Sequence, residues 1–140
     1  MLFDDFNSKH RSLVERQRLI GIKGEKVALT YLKRSGWRCV ATNVRFGKDE
    51  LDILAMTPDE GTLVIVEVRA TGVETKKPER TVGKSKRSAM MRIAKQLRGC
   101  ARRNSSTLRV DLITVSFAKK PVTIEHYRGV LRIGASRIFT

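Results

Sequence analysis

Hydrophobic and polar positions along this chain change period several times, and each change marks an element. The strongest signal lies between Asp49 and Ala70. There an acidic Asp49-Glu50-Leu51-Asp52 runs into Ile53, Leu54 and Ala55, and Leu63 to Val68 forms a near-continuous aliphatic run interrupted by Glu67. Short runs of this kind, rich in Val and Ile, read as strands covered on both faces. Thr57-Pro58-Asp59-Glu60-Gly61 between them has the residues of a turn, so the two strands are expected to form an antiparallel hairpin. Upstream, Val27, Ala28, Tyr31 and Leu32 recur at helical spacing in a segment that starts at Gly21, and Gly36 supplies a stop. Residues 1–20 mix charges without a clear period until Leu13 and Val14, and read as an N-terminal arm leading into that helix. Trp37 to Asn43 alternates as a strand, with Trp37 in the core. Downstream, Met90, Ile93, Ala94 and Leu97 mark a second helix from Lys86 to about Gly99. Leu108–Phe117 and Val122–His126 are two more strands, and residues 129–140 form a basic tail or a short added strand. The order α-β-β-β-α-β-β predicts one α/β domain over residues 21–128, a mixed β-sheet flanked by helices.

Charge changes this picture. Lys and Arg number 29 against 14 Asp and Glu, a formal net charge of +15 and a pI near 10.6. A surface this basic repels itself unless a polyanion neutralises it. The excess is concentrated between Arg69 and Arg103, where only Glu74 and Glu79 oppose the basic residues. Part of this stretch, Thr71 to Ser85, has Gly, Pro and charges but no period, and a loop of that length is either functional or disordered. A charged helix face is often merely solvated. Beside in-strand carboxylates, this one reads as a phosphate track through Lys76, Lys77, Arg80, Lys84, Lys86, Arg87 and Arg92. Cys39 and Cys100 have no metal-ligand spacing and are expected to stay reduced. The N-terminus is acidic where a signal peptide is basic, and no apolar run reaches membrane-spanning length. A soluble, cytoplasmic protein is expected.

The candidate chemistry rests on carboxylates. Asp52 and Glu67 come from neighbouring strands, and a carboxylate in an apolar strand is costly to bury as an ion unless a partner or metal compensates it. Arg69, two residues past Glu67, shares its strand face. Convergence of the two carboxylates suggests a divalent-cation site. The alternative is that each sits at a strand end, salt-bridged to one of the many bases. Glu25 lies near the edge of the apolar face of the first helix, where a glutamate ordinarily complements the helix dipole. Asp111 is a third in-strand carboxylate, expected to pair with Arg109. His10 and His126 are isolated and assigned no chemistry.

Combined, these motifs resemble the PD-(D/E)xK nuclease superfamily and, within it, the YraN-like family of predicted endonucleases related to archaeal Holliday-junction resolvases. The family's helix motif is met at Gly21, Gly24, Glu25, Ala28, Tyr31, Leu32, Gly36 and Trp37. Its N-x-R is Asn43 and Arg45, which adds Arg45 to the candidate nucleic-acid contacts. Its G-E-I-D-L-I appears as Asp49 to Leu54, its V-E-V-K as Val66 to Arg69, its second-helix entry at Val82, Lys86 and Ala94, and its R-x-D at Arg109 to Asp111. The resemblance implies a restriction endonuclease-like fold. It also implies a Mg²⁺ (or Mn²⁺) held by Asp52, Glu67 and the Val68 carbonyl, with Glu25 reaching the same ion directly or through water. The implied activity is hydrolysis of phosphodiester bonds, in DNA rather than RNA and on branched or structured substrates. A non-catalytic nucleic-acid-binding protein on the same fold is the competing expectation. A homodimer is one assembly that would let such a protein cut two strands. Two positions depart from the family: Asp49 replaces a glycine, and Arg69 replaces the active-site lysine. Arginine keeps its proton, so Arg69 could stabilise charge on a phosphate but could not act as a general base.

Overall fold

The computed structural model describes residues 2–72 and 82–133, with side chains from residue 8 onward. Helix α1 (Leu2–Arg34) is followed by strands β1 (Arg38–Phe46), β2 (Asp49–Met56) and β3 (Thr62–Thr71), helix α2 (Lys84–Arg103), and strands β4 (Thr107–Ser116) and β5 (Thr123–Leu131). This is the predicted order. The strands form one five-stranded sheet in the order β1-β2-β3-β4-β5. All neighbours are antiparallel except β3 and β4. A parallel pair needs a crossover rather than a tight turn, and α2 lies within that crossover.

The two helices cover opposite faces of the sheet. Beneath α1, Ala28 and Leu32 pack with Trp37, Ile53, Ala55, Val64, Val66, Ile113 and Val115. Beneath α2, Met90, Ile93, Ala94 and Leu97 pack with Leu54, Met56, Leu63, Ile65 and Val110. Both faces of β2 and β3 are thus dry, which is why these strands read as aliphatic runs and not as alternations.

The predicted stop at Gly36 is a paired-bond cap. Gly36 has φ of +86°, the Trp37 N–H donates to the Leu32 carbonyl at 3.0 Å, and the Gly36 N–H donates to the Lys33 carbonyl at 3.1 Å. Trp37 and Leu32 bury against each other's cluster, the apolar contact that usually accompanies this cap. The hairpin turn is closed by Asp59, whose Oδ1 accepts from the Gly61 N–H at 2.9 Å and from the Thr57 hydroxyl at 2.7 Å.

Two segments differ from expectation. The stretch expected as an arm is itself helical, because α1 starts at Leu2. Its residues 8–19 are exposed all round. A helix that packs on nothing has no reason to carry an apolar period, which hid it. At the other end, β5 continues to Leu131 and takes in the start of the expected tail, while residues 134–140 lie outside the described residues. So do residues 73–81, which include Lys76, Lys77 and Arg80 of the expected phosphate track. Among the described residues no helix is long and apolar enough to cross a membrane.

Candidate active site

The pairing of β2 with β3 stops where the acidic residues begin. It runs from Met56–Leu63 to Ile53–Val66 and ends there. Continued, the register would set Asp52 opposite Glu67 and Leu51 opposite Val68. Instead the Val68 N–H donates to Oδ2 of Asp52 at 2.9 Å, so a side chain supplies the acceptor that a β2 carbonyl would have provided. On the opposite edge of β2, Thr42 pairs with Ile53 and Val44 with Leu51, and between them Asn43 has a left-handed φ of 51°. Leu51 packs in the cluster beneath α2, whereas Ile53 packs beneath α1. Residues two apart on a regular strand share a face, so β2 turns over at Asp52. Its carboxylate is thereby directed along the sheet toward β3 and into neither core.

Glu67 projects on the α2 side of β3 and is 5% exposed. Lys86 Nζ, from the first turn of α2, lies 3.3 Å from its Oε2, and Arg69 Nε lies 3.7 Å from its Oε1. Glu25 comes from α1. The carboxylates of Glu67 and Glu25 are each within hydrogen-bonding reach of Asp52. Glu25 owes its position to Gly24, since a Cβ at residue 24 would stand 2.5 Å from Ala70 Cβ. Only glycine lets α1 approach β3 this closely.

Crowding of carboxylates in a dry place sets their proton affinity. Burial pushes the Glu67 carboxyl up and the Asp52 charge adds to it, while Lys86 and Arg69 pull the other way without prevailing, so Glu67 titrates at about 8. At neutral pH Glu67 therefore keeps its proton. Burial also raises Glu25, helped by the charges of Asp52 and Glu50, against a lowering hydrogen bond from Asn43. Glu67 Oε2 is buried and has no hydrogen-bond partner among the described residues despite the nearby Lys86 ammonium. Hard oxygen donors, one of them orphaned, suit Mg²⁺ or Mn²⁺, which is often held by one or two carboxylates and completed by waters. The Val68 carbonyl leaves the strand on the same side as its N–H and faces the same gap. No three acidic, imidazole or thiol side chains stand together at ligating geometry among the described residues.

Asp52 and Glu25, but not Glu67, also line a groove of about 590 Å³ between α1 and the β1–β2 hairpin, whose other lining residues are Arg18, Gly21, Ile22, Lys26 and Leu29 on the helix and Thr42, Asn43, Glu50 and Ile53 on the strands. Of the expected phosphate contacts, Lys84 and Arg87 are exposed on α2, and Arg45 is exposed on β1 opposite Glu50. Two are already engaged with acids. Lys86 faces Glu67, and Arg92 makes a two-pronged pair with Asp49 at 2.8 Å through both Nε and Nη2. Asp49 thus ties the start of β2 to α2.

Sequence spacing missed two features. Asn43 belongs to the N-x-R motif, yet its backbone makes the kink opposite Asp52 and its side chain bonds Glu25. His126, expected to be isolated, bridges Asp111 Oδ2 at 2.8 Å and the Tyr31 hydroxyl at 2.9 Å. A carboxylate can only accept, so His126 Nε2 donates to it. Asp111 also receives Arg109, as expected, and the Gly129 N–H. Burial pushes the Asp111 carboxyl up, but the hydrogen bonds from His126, Arg109 and Gly129 outweigh it and hold it below the ordinary aspartate value. This cluster joins α1, β4 and β5 across 95 residues of chain, a separation no local pattern records.

Residues 24–115 match the family model described as uncharacterised protein family UPF0102. A UPF0102 protein of Alkaliphilus oremlandii is 32% identical over 109 residues, covering 76% of this chain and 92% of the relative. One from Syntrophotalea carbinolica is 31% identical over 119 residues, covering 84% and 95%, and one from Chlorobaculum tepidum is 30% identical over 121 residues, covering 82% and 93%. The matched span contains Glu25, Asp52, Glu67 and Lys86 and both helix–sheet interfaces, and on these grounds the chain belongs to the UPF0102 family.

Proposed function

We propose that this protein is a metal-dependent endonuclease that hydrolyses phosphodiester bonds in DNA, with branched or otherwise structured DNA as its substrate. The observation that carries this reading is Asp52, turned into the open end of the β2–β3 ladder with Glu67 on one side and Glu25 on the other. Carboxylates are not gathered this way for stability, because Glu67 must keep its proton at neutral pH to be tolerated beside the Asp52 charge. Asp52 and Glu67, with the Val68 carbonyl, would hold Mg²⁺ or Mn²⁺ in place of that proton. Such an ion supplies charge neutralisation at the scissile phosphate and a more acidic bound water.

The chain's own residues have separable parts in this scheme. Arg69 and Lys86 carry fixed positive charge beside Glu67 and can face the oxygens of a phosphate, where charge develops as water adds to phosphorus and a P–O bond breaks. One cut end keeps the phosphate and the other gains a hydroxyl. The first turn of α2 has no acidic residue, an arrangement that opposes the helix dipole and favours an anion there. Exposed Lys84 and Arg87 on the same turn are suited to neighbouring phosphates. A second reading, a binding protein that does not cut, is favoured by the same Lys86–Glu67 and Arg69–Glu67 pairs, which partly neutralise Glu67 without a metal.

Cleavage of duplex, flap and four-way junction DNA with Mg²⁺ or Mn²⁺ separates the two. The nuclease reading expects cutting by the wild type that Asp52→Ala and Glu67→Ala abolish while DNA binding is kept or strengthened. It also expects Arg69→Lys to preserve or raise the rate. No metal-dependent cutting by wild type or Arg69→Lys would leave the binding reading, and cutting that survives Asp52→Ala would refute this site.

A further inference from the structure

A groove beside Asp52 and Glu25 runs between α1 and the β1–β2 hairpin. One wall is α1, where Arg18 and Lys26 bring positive charge and Ile22 is 37% exposed. Gly21 lies in the same wall. Unlike Gly24, it has nothing within 4 Å of where a Cβ would stand, so packing does not require a glycine there. A glycine inside a helix is less favourable than alanine, and here it leaves open space in the groove. Three acids, Glu25, Glu50 and Asp52, line the same groove.

We infer that this groove receives about one or two unpaired nucleotides leading into the Asp52–Glu67 site, so that the substrate is DNA with a single-stranded segment beside the scissile bond. A volume of about 590 Å³ is that of a small-ligand pocket and not of a duplex channel. Within a duplex the base faces are stacked on one another and unavailable to the protein. An unpaired nucleotide offers a base face to Ile22 and its phosphates to Arg18 and Lys26. Arg18 now pairs with Glu15 at 2.7 Å, but both side chains are more than half exposed, and such a pair exchanges readily for a phosphate. Glu25, Glu50 and Asp52 repel phosphate until a divalent cation offsets their charge, so occupancy of the groove depends on the cation. Duplex DNA flanking the unpaired segment then falls to the basic turn of α2 on the other face.

This inference rests on the nuclease reading, and binding measurements tell their failures apart. The full chain is titrated in Ca²⁺ with 2-aminopurine-labelled DNA bearing a 3′ or 5′ overhang, and with a fully paired duplex and a four-way junction of equal length. The expected result is a preference of about tenfold for an overhang over both paired forms, lost when Ca²⁺ is removed. Gly21→Leu, which fills the groove, and Ile22→Glu, which repels the strand, should each bring overhang affinity down to that of the duplex. Leucine is the better helix former, so a Gly21→Leu thermal melt at or above the wild-type temperature shows that the site and not the fold was lost. Equal affinity of wild type for paired and unpaired DNA, or a preference that survives Gly21→Leu, overturns the inference. If the preference is present but Mg²⁺ produces no cleavage, the catalytic reading alone has failed. If fully paired DNA is cut as fast as overhang DNA, the groove reading alone has failed.

Discussion

Replacing Glu67 by glutamine should stabilise the metal-free protein, and by an amount that grows with pH. Glu67 is 5% exposed and its carboxyl is raised from 4.5 to about 8, first by burial and then by the Asp52 charge. Below pH 4.5 both folded and unfolded chains carry the proton, and the residue contributes no pH dependence. Between 4.5 and 8 the unfolded chain releases the proton while the folded chain keeps it, so stability falls as pH rises. Above 8 both are ionised and the loss is complete. At 1.36 kcal/mol per pH unit the loss is about 3 kcal/mol by pH 7 and about 5 kcal/mol above pH 8. Glutamine mimics the protonated form and cannot ionise. Urea unfolding of wild type and Glu67→Gln without divalent ions should therefore give similar free energies at pH 4.5 and a gap of several kcal/mol in favour of the variant at pH 8. Saturating Mg²⁺ should narrow the gap by stabilising only the wild type, since bound ligand adds to the folded state. A Glu67→Gln variant that is equally or less stable than wild type at pH 8 would show that Lys86 and Arg69 prevail, and the argument for a displaced proton would fail.

Other outcomes follow from the same geometry. Gly24→Val should destabilise the fold by about 1–3 kcal/mol, because its Cβ would meet Ala70 Cβ at 2.5 Å, and denaturant melts will read this directly. Asp111→Ala strands Arg109 and His126 and should cost about 3–5 kcal/mol at pH 7. Since the Asp111 carboxyl is held below 3.8, its contribution is complete above that pH and is lost as the pH falls through its lower folded value, so wild type and variant should converge in acid melts. Arg87→Ala should reduce the salt slope of DNA binding by about one unit, whereas Arg92→Ala, already committed to Asp49, should reduce it by less. Affinities across a salt series decide between them.

Element order was written in the chain because each element is a local periodicity. The aliphatic runs at Ile53 and Leu63, the turn at Pro58 and the stop at Gly36 all follow from interactions within a few residues, and the sheet's two covered faces follow from the absence of alternation. Asp52 and Glu67 stood out for a similar reason, since a charge in an apolar strand conflicts with its surroundings wherever the strand lies. What the neighbours do to those charges was decided only in three dimensions. That Asp52 turns into the ladder depends on a left-handed Asn43 on β1, that Glu67 meets a lysine depends on α2, and that Glu25 arrives depends on a glycine fitting against Ala70 on β3. His126 and Asp111 needed Tyr31 from the far end of the chain, and the first half of α1 stayed hidden because an unpacked helix carries no pattern. Local sequence specifies backbone period and the cost of burying a group, whereas the partner that offsets that cost is chosen by which segments the sheet brings together.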